Sequence, residues 1–192
     1  PQAEWLNRKG TVHSLLYEGE PFREDRATEV FAYYASPGTL NADPELDQNL
    51  PAIVLVHGGG GTAFDQWVEK WAASGYAALA MDLKGGSPNG EPRSKGGPTM
   101  DHPNIFHAMD ISKNQHWCYH GVANVIRAHS LIRSFPEVDD DRTAITGISW
   151  GGFLTCIVSG LDDRFKAAIP VYGCGYIYKN GPWLTEFGAM TD

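Results

Sequence analysis

A serine lies at the centre of the run Gly-Ile-Ser-Trp-Gly, residues 147–151, which fits the pattern G-x-S-x-G. The run RTAITGIS before it has the character of a buried strand, and WGGFLTCIVSGL after it has that of a helix. In a strand–turn–helix of this kind a serine is held on a sharp turn and can act as a nucleophile. The two flanking glycines remove Cβ atoms that would clash in that turn. A capping serine in an ordinary turn is the alternative, and this context favours Ser149 as a nucleophile.

Four glycines follow a histidine in residues 57–61, directly after the apolar run PAIVLV. Glycines allow backbone conformations that point several N–H groups at one place, which is what an oxyanion hole requires. We expect Gly59 and Gly60 to supply such donors, together with the N–H of Trp150 beside the nucleophile. His57 is expected to brace this loop by hydrogen bonding. A phosphate loop is excluded because the Gly-Lys-Ser/Thr ending is absent.

The general base is the open question, because all seven histidines precede Ser149 (positions 13, 57, 102, 107, 116, 120 and 129). Catalytic triads are defined by geometry rather than by chain order. The connection over residues 84–115 is long and rich in glycine and proline, as functional loops often are. We predict His107 in this loop as the base, with Asp110 or Asp82 orienting it. Two alternatives stay open: a second copy of the chain completes the site, or the chain is a poorly active fragment.

The net charge and the apolar content of the chain exclude some classes of binding partner. The net charge of −8 argues against nucleic acid and anionic membranes as partners and is compatible with a small neutral ester. No apolar run reaches the length of a membrane span, and the first residues do not resemble a signal peptide. His116 and His120 are four residues apart, but they lack a third ligand, so no metal and no cofactor is predicted. The compartment stays undetermined.

Short apolar runs alternate with helical stretches, which indicates an α/β fold with a mostly parallel sheet flanked by helices. The whole chain, residues 1–192, is predicted to be one domain. Strands are predicted in TVHSLLYEG, TEVFAYYASP, PAIVLV, YAALAMDL, RTAITGIS and KAAIPVYG. Helices are predicted over residues 63–74, 116–135 and 150–161, and turns or loops in PEVDDD and over residues 37–51. Cys156 is expected to be buried within its apolar run.

Taken with HGGGG and YAALAMDL, the segment AITGISWGGFLTCIVSGLDDRFKAAIPVYGCG resembles the α/β-hydrolase fold. More narrowly, these segments resemble its acetylxylan-esterase and prolyl-oligopeptidase-like members, which are related to dienelactone hydrolase. The resemblance extends from Thr11 to the C-terminus. It implies a serine esterase that acts through an acyl-enzyme on short-acyl or acetyl esters. Rival interpretations are a peptidase and a catalytically inactive remnant that serves as a binding module.

The resemblance also implies that the C-terminal strands of the usual fold are missing, because no histidine or further strand pattern follows KAAIPVYG. That run would then be an exposed apolar edge of the sheet, which invites pairing with another chain. We therefore predict a homodimer formed through this edge.

Overall fold

The computed structural model describes residues 2–23, 25–87, 91, 93–101, 105, 111–173 and 175. Within these ranges the backbone forms one sheet of seven strands in the spatial order β1-β2-β3-β5-β4-β6-β7. The strands are β1 (Ala3–Asn7), β2 (His13–Glu18), β3 (Glu29–Ala35), β4 (Leu50–Val56), β5 (Ala77–Met81), β6 (Val138–Ile148) and β7 (Ala167–Val171).

The sheet changes character along its width. The pairs β1–β2, β2–β3 and β3–β5 are antiparallel, whereas β5–β4, β4–β6 and β6–β7 are parallel. The carboxyl ends of β4, β5, β6 and β7 therefore meet at one edge of the sheet, where ligands bind in open α/β sheets. The predicted α/β class, with a parallel region flanked by helices, is confirmed.

Helices cover both faces of the sheet. They are α1 (Pro37–Asn41), α2 (Asp65–Ala73), α3 (Trp117–Arg133) and α4 (Trp150–Leu161). Alternate residues of β4 serve the two cores: Val54 and Val56 join the one under α3 and α4, and Ile53 and Leu55 join the one under α2. All four of these side chains are buried. A strand enclosed on both faces reads as a continuous apolar run, which is why PAIVLV was recognisable.

Several predictions are corrected by the structure. The strand β1 was not predicted, and residues 37–51 contain α1 and a 3-10 turn, Pro44–Leu46, in place of a plain loop. The acidic run PEVDDD is not only a turn, because β6 begins at Val138, which pairs with Leu50 of β4. Cys156 is exposed rather than buried. In α4 the inward positions are Leu154 and Val158, and a residue two places after Leu154 turns away from them.

No helix in the described ranges combines the length and apolar character needed to cross a lipid bilayer.

Candidate active site

Ser149 joins the end of β6 to the first turn of α4, as predicted. Its backbone has φ of 59° and ψ of −116°, a conformation that non-glycine residues rarely adopt. Such strain costs about 1–3 kcal/mol and persists only where the surroundings enforce it. Here the N–H of Ser149 donates to the carbonyl oxygen of Val171 in β7 at 3.0 Å. The serine is thus held on a sharp turn at the carboxyl edge of the parallel strands.

Both glycines of the motif are required by contacts in this turn. A Cβ atom added at Gly147 would lie 2.4 Å from the carbonyl oxygen of Gly151. One added at Gly151 would lie 2.1 Å from the carbonyl oxygen of Val56, at the end of β4. Both distances are far below van der Waals contact, and the atoms met are backbone. This turn, residues 147–151, is called the elbow below, and it depends on close approach between β4, β6 and α4.

Two further glycines at the elbow were not singled out from the sequence. A Cβ atom on Gly152 would lie 2.2 Å from the carbonyl oxygen of Tyr172. One on Gly173 would lie 2.2 Å from the carbonyl oxygen of Ser149 and 2.7 Å from its Cα. Gly173 also has a φ of +80°, so it is favoured by conformation as well as by space. In the sequence, these two positions could have been recognised from the pair Gly151-Gly152 directly after Trp150 and from the glycine that follows Tyr172.

The glycine loop lies against the nucleophile although it is some 90 residues away in the chain. A methyl group on Gly58 would be 3.2 Å from Cβ and 3.8 Å from Oγ of Ser149. The N–H of Gly61 donates to the carbonyl oxygen of Gly58 at 3.0 Å, which closes a turn with Gly59 and Gly60 at its centre. The N–H groups of the two central residues are not used by the bond that closes such a turn. The structure thus brings the two sequence motifs together.

Trp150 contributes to this region with its backbone and its side chain. It is the first residue of α4, so its N–H lies at the end of the helix where the dipole favours negative charge. Its indole packs on the glycine turn, because a Cβ on Gly59 would lie 2.8 Å from the indole Cδ1. Edge-to-face contacts with Trp117 and Phe153, with ring centroids 5.5 and 5.4 Å away, fix the indole.

His57 braces the glycine loop, as predicted, and is buried. Its Nε2 accepts the N–H of Leu83 at 2.8 Å, so the ring proton is on Nδ1, which faces the carbonyl oxygen of Gly58 at 2.7 Å. The ring therefore ties the loop after β4 to the chain leaving β5. With both nitrogens engaged in these bonds, His57 is a positioning residue and not a candidate base.

Asp82 is one of the two acids considered as orienter. One of its oxygens accepts the N–H groups of Lys84 and Gly86 at 2.9 and 2.8 Å. The other lies 3.5 Å from Nε2 of His57. Burial alone would raise the pKa of this carboxyl, but the hydrogen bonds that it accepts from the backbone N–H groups favour its charged form, and the pKa is lowered. Asp82 is an ionised anchor for the loop that follows β5.

His107 and Asp110, the predicted base and its partner, lie outside the described residues, as does His102. In the part of the chain that the structure describes, no histidine forms a hydrogen bond with Ser149. The rings of His116 and His120 bond to the carbonyl oxygens of Ile111 and Asn114 at 3.2 and 2.9 Å. The described ranges also contain no group of three or more potential metal-binding side chains.

A histidine placed between a hydroxyl and an acid occurs elsewhere in the fold. His129 of α3 has Nδ1 2.8 Å from a carboxylate oxygen of Asp162 and Nε2 2.7 Å from the hydroxyl of Thr143. All three residues are buried. Thr143 precedes Ser149 by six residues on β6, which corresponds to about 20 Å along a strand. This triad-like set lacks solvent access and lies far from the elbow, so its role is structural.

A serine in a strained strand–helix turn, beside a glycine turn at the carboxyl edge of parallel strands, defines an α/β-hydrolase. The profile of the family described as "Acetyl xylan esterase (AXE1)" matches residues 14–186. The chain therefore belongs to the acetyl xylan esterase family.

Two solved acetyl xylan esterases are similar in structure. The enzyme from Paenibacillus sp. R4 is 25% identical with a TM-score of 0.69, and the match covers 98% of this chain and 60% of that one. The enzyme from Thermoanaerobacterium sp. JW/SL YS485 is 22% identical with a TM-score of 0.62, over 86% of this chain and 50% of that one. Its likeness concerns the fold.

Among curated proteins, "Uncharacterized peptidase YuxL" of Bacillus subtilis is 28% identical over 139 residues, 67% of this chain. The chain spans 18% of that protein's length and about 60% of the Paenibacillus enzyme.

Proposed function

We propose that this chain carries the nucleophile and oxyanion hole of a serine esterase that cleaves short-acyl esters, acetyl esters above all. The observation that carries the proposal is the conformation of Ser149. A binding module that had lost catalysis would have no need for a serine held at positive φ beside the glycine turn. The strained conformation of Ser149 therefore weighs against the inactive alternative.

The reaction proceeds by double displacement. The hydroxyl oxygen of Ser149 attacks the ester carbonyl carbon, and its proton passes to the base. The N–H of Trp150 and those of Gly59 and Gly60 stabilise the oxyanion that forms, each donor being worth on the order of 3 kcal/mol. The C–O bond to the alcohol then breaks, the alcohol leaves with the proton from the base, and water hydrolyses the acyl-serine by the same steps.

His107 is proposed as the base, with Asp110 orienting its ring. Two observations support this assignment: no described histidine forms a hydrogen bond with Ser149, and the loop that contains residue 107 leaves β5 at the edge of the sheet where Ser149 lies. A His107→Ala variant should lose reactivity at Ser149, whereas His116→Ala, which removes a ring bonded to a backbone carbonyl, should not. Full esterase activity of His107→Ala would refute this assignment.

The proposal for Ser149 is tested by intact-mass analysis after reaction with a fluorophosphonate. The wild-type chain should gain one phosphonyl group, through attack of the Ser149 oxygen on phosphorus and departure of fluoride, and Ser149→Ala should gain none. A folded wild-type chain that stays unmodified would contradict the proposal and support an inactive remnant.

The substrate class is tested by comparing acetyl esters of sugars with aminoacyl amides. The likeness to a protein named as a peptidase makes this comparison necessary. Turnover of acetyl esters, with little or none of amides, is expected. Preference for the amides would replace esterase by peptidase while leaving the role of Ser149 intact.

We also propose that the chain forms a homodimer through β7. All five residues of β7 are exposed, and one of its edges pairs with β6 while the other is unpaired within the described residues. An apolar groove of about 240 Å³, lined in part by Trp67, Trp71, Ile148 and Val171, lies beside this edge. Antiparallel pairing of two β7 strands would satisfy the free backbone groups of both copies in an isologous interface.

The dimer is tested by sedimentation at micromolar concentration. Ile169→Lys should shift the protein to monomer, because Ile169 of β7 is 49% exposed and a charge would fall in the interface. Leu6→Lys is the matched control, since Leu6 has the same 49% exposure on β1, at the opposite edge of the sheet. A wild-type monomer, or equal effects of both variants, would refute the β7 interface.

A further inference from the structure

The ring of His120, on the first turn of α3, has one nitrogen bonded and one free. Its Nε2 faces the carbonyl oxygen of Asn114 at 2.9 Å and so carries the ring proton. The residue is only 2% exposed, and burial lowers its pKa, so the ring is neutral near pH 7. Nδ1 is then a buried acceptor, and it has no hydrogen-bond partner among the described residues. A buried acceptor left unpaired destabilises the folded state, so a donor is expected at this position.

A small cavity adjoins this ring. It offers about 10 Å³ to the centre of a water-sized sphere, close to the minimum that one water molecule requires and too little for a larger ligand. Four segments enclose it: β3 with Glu29, α3 with His120 and Asn124, the chain after β5 with Asp82 and Gly85, and the later loop with Gly97. Carboxylate, amide and backbone polar groups thus line the cavity, which distinguishes it from the apolar voids that stay dry.

We propose that this cavity is a binding site for a single water molecule that donates a hydrogen bond to Nδ1 of His120. The remaining bonds of the water go to the polar groups of the same walls. Because these walls come from β3, from α3 and from two parts of the loop after β5, the water connects the base of that loop to the helix and to the sheet. It acts as a structural ligand, and its presence does not depend on whether Ser149 is catalytic.

Substitution of Gly97 tests the proposal, because the unfolding midpoint should shift in opposite directions for a water-filled and for a dry cavity. A Cβ atom on Gly97 would lie 3.7 Å from Nδ1 of His120, an ordinary contact, and would meet no other atom of the described residues within 4 Å. The backbone of Gly97 is not in the left-handed region, so alanine introduces no strain there. The methyl group fits the space that the water would occupy.

If water fills the site, Gly97→Ala displaces it, leaves Nδ1 unpaired and lowers the unfolding midpoint by about 3 °C. If the cavity is dry, the same methyl fills it and restricts the unfolded chain, so the midpoint rises. Gly160→Ala is the matched control. Gly160 lies in α4 with no atom of the described residues within 4 Å of its Cβ position, so alanine should raise the midpoint in either case.

A crystal structure of the wild-type chain gives the direct readout. Density for one water within hydrogen-bonding distance of Nδ1, lost in Gly97→Ala, would support the site together with a lowered midpoint. A wild-type cavity without such density, or a Gly97→Ala midpoint raised like that of Gly160→Ala, would overturn it. Fluorophosphonate labelling is measured in parallel, so failure of the water site and failure of the nucleophile are separately visible.

Discussion

Gly173 lies outside the sequence motif, yet the structure makes it as important to the nucleophile as the motif glycines. An alanine there would place its Cβ 2.2 Å from the carbonyl oxygen of Ser149, about 1 Å inside normal contact. The Ser149 atoms that the Cβ meets belong to the backbone, and the Cβ itself is fixed to the backbone of residue 173. The elbow or the chain that leaves β7 must therefore shift by roughly that amount. A misplacement of about 1 Å near the reacting atoms costs on the order of 10²-fold in rate. We therefore expect Gly173→Ala to slow fluorophosphonate labelling of Ser149 by about 10²-fold.

The same substitution also forces alanine into a left-handed conformation, which costs roughly 1–2 kcal/mol whatever its surroundings. Gly175→Ala separates the two effects. Gly175 has a φ of +85°, similar to the +80° of Gly173, but no described atom lies within 4 Å of its Cβ position. Both variants should lose a few degrees in unfolding midpoint, and only Gly173→Ala should lose labelling rate. Equal labelling rates for the two variants would refute the steric argument.

Two further predictions concern burial and the glycine turn. Burial lowers the pKa of His129 to about 4, so between pH 6.5 and 4 the unfolded chain binds more protons than the folded one. Stability should thus fall by at most about 3 kcal/mol as pH drops through this window, and His129→Gln should flatten this part of an acid-unfolding curve. In the glycine turn, Gly59→Ala would press its Cβ on the Trp150 indole at 2.8 Å, whereas Gly60→Ala meets no described atom within 4 Å. Labelling of Ser149 should slow more in Gly59→Ala, and the reverse order would contradict the geometry.

Local patterns were sufficient to predict the parts of the site that are contiguous in sequence. The elbow at Ser149 follows from glycine spacing between a strand and a helix, and the bracing role of His57 from its place before the glycines. Gly152 and Gly173 were not found because their restraint comes from carbonyl oxygens that only the fold brings close. No local pattern reports which backbone atom faces a given Cβ.

The predictions for Cys156 and for the start of β6 were wrong because a local pattern does not define the three-dimensional surroundings of a residue. In a strand, a continuous apolar run indicates that both faces are buried. In a helix, consecutive side chains point in all directions around the axis, so one member of an apolar run can face solvent. Cys156 within FLTCIV is such a residue. Acidic side chains at the start of β6 suggested a turn, yet ladder hydrogen bonds involve only the backbone. Val138 therefore pairs with Leu50 despite its charged neighbours.

The elbow lies entirely within the described residues, whereas the proposed base, His107, lies outside them. Labelling experiments can therefore distinguish a distorted elbow from a missing base. Three segments enforce the strained conformation of Ser149: β7 through the bond to Val171, β4 through its contact with Gly151, and the chain at Gly173. Their joint restraint fixes where the hydroxyl lies but cannot remove its proton. Slow labelling of a correctly folded wild-type chain would therefore indicate a missing base and not a distorted elbow. Reactivity recovered by mixing Ser149→Ala and His107→Ala chains would in turn mean that the base acts across a dimer.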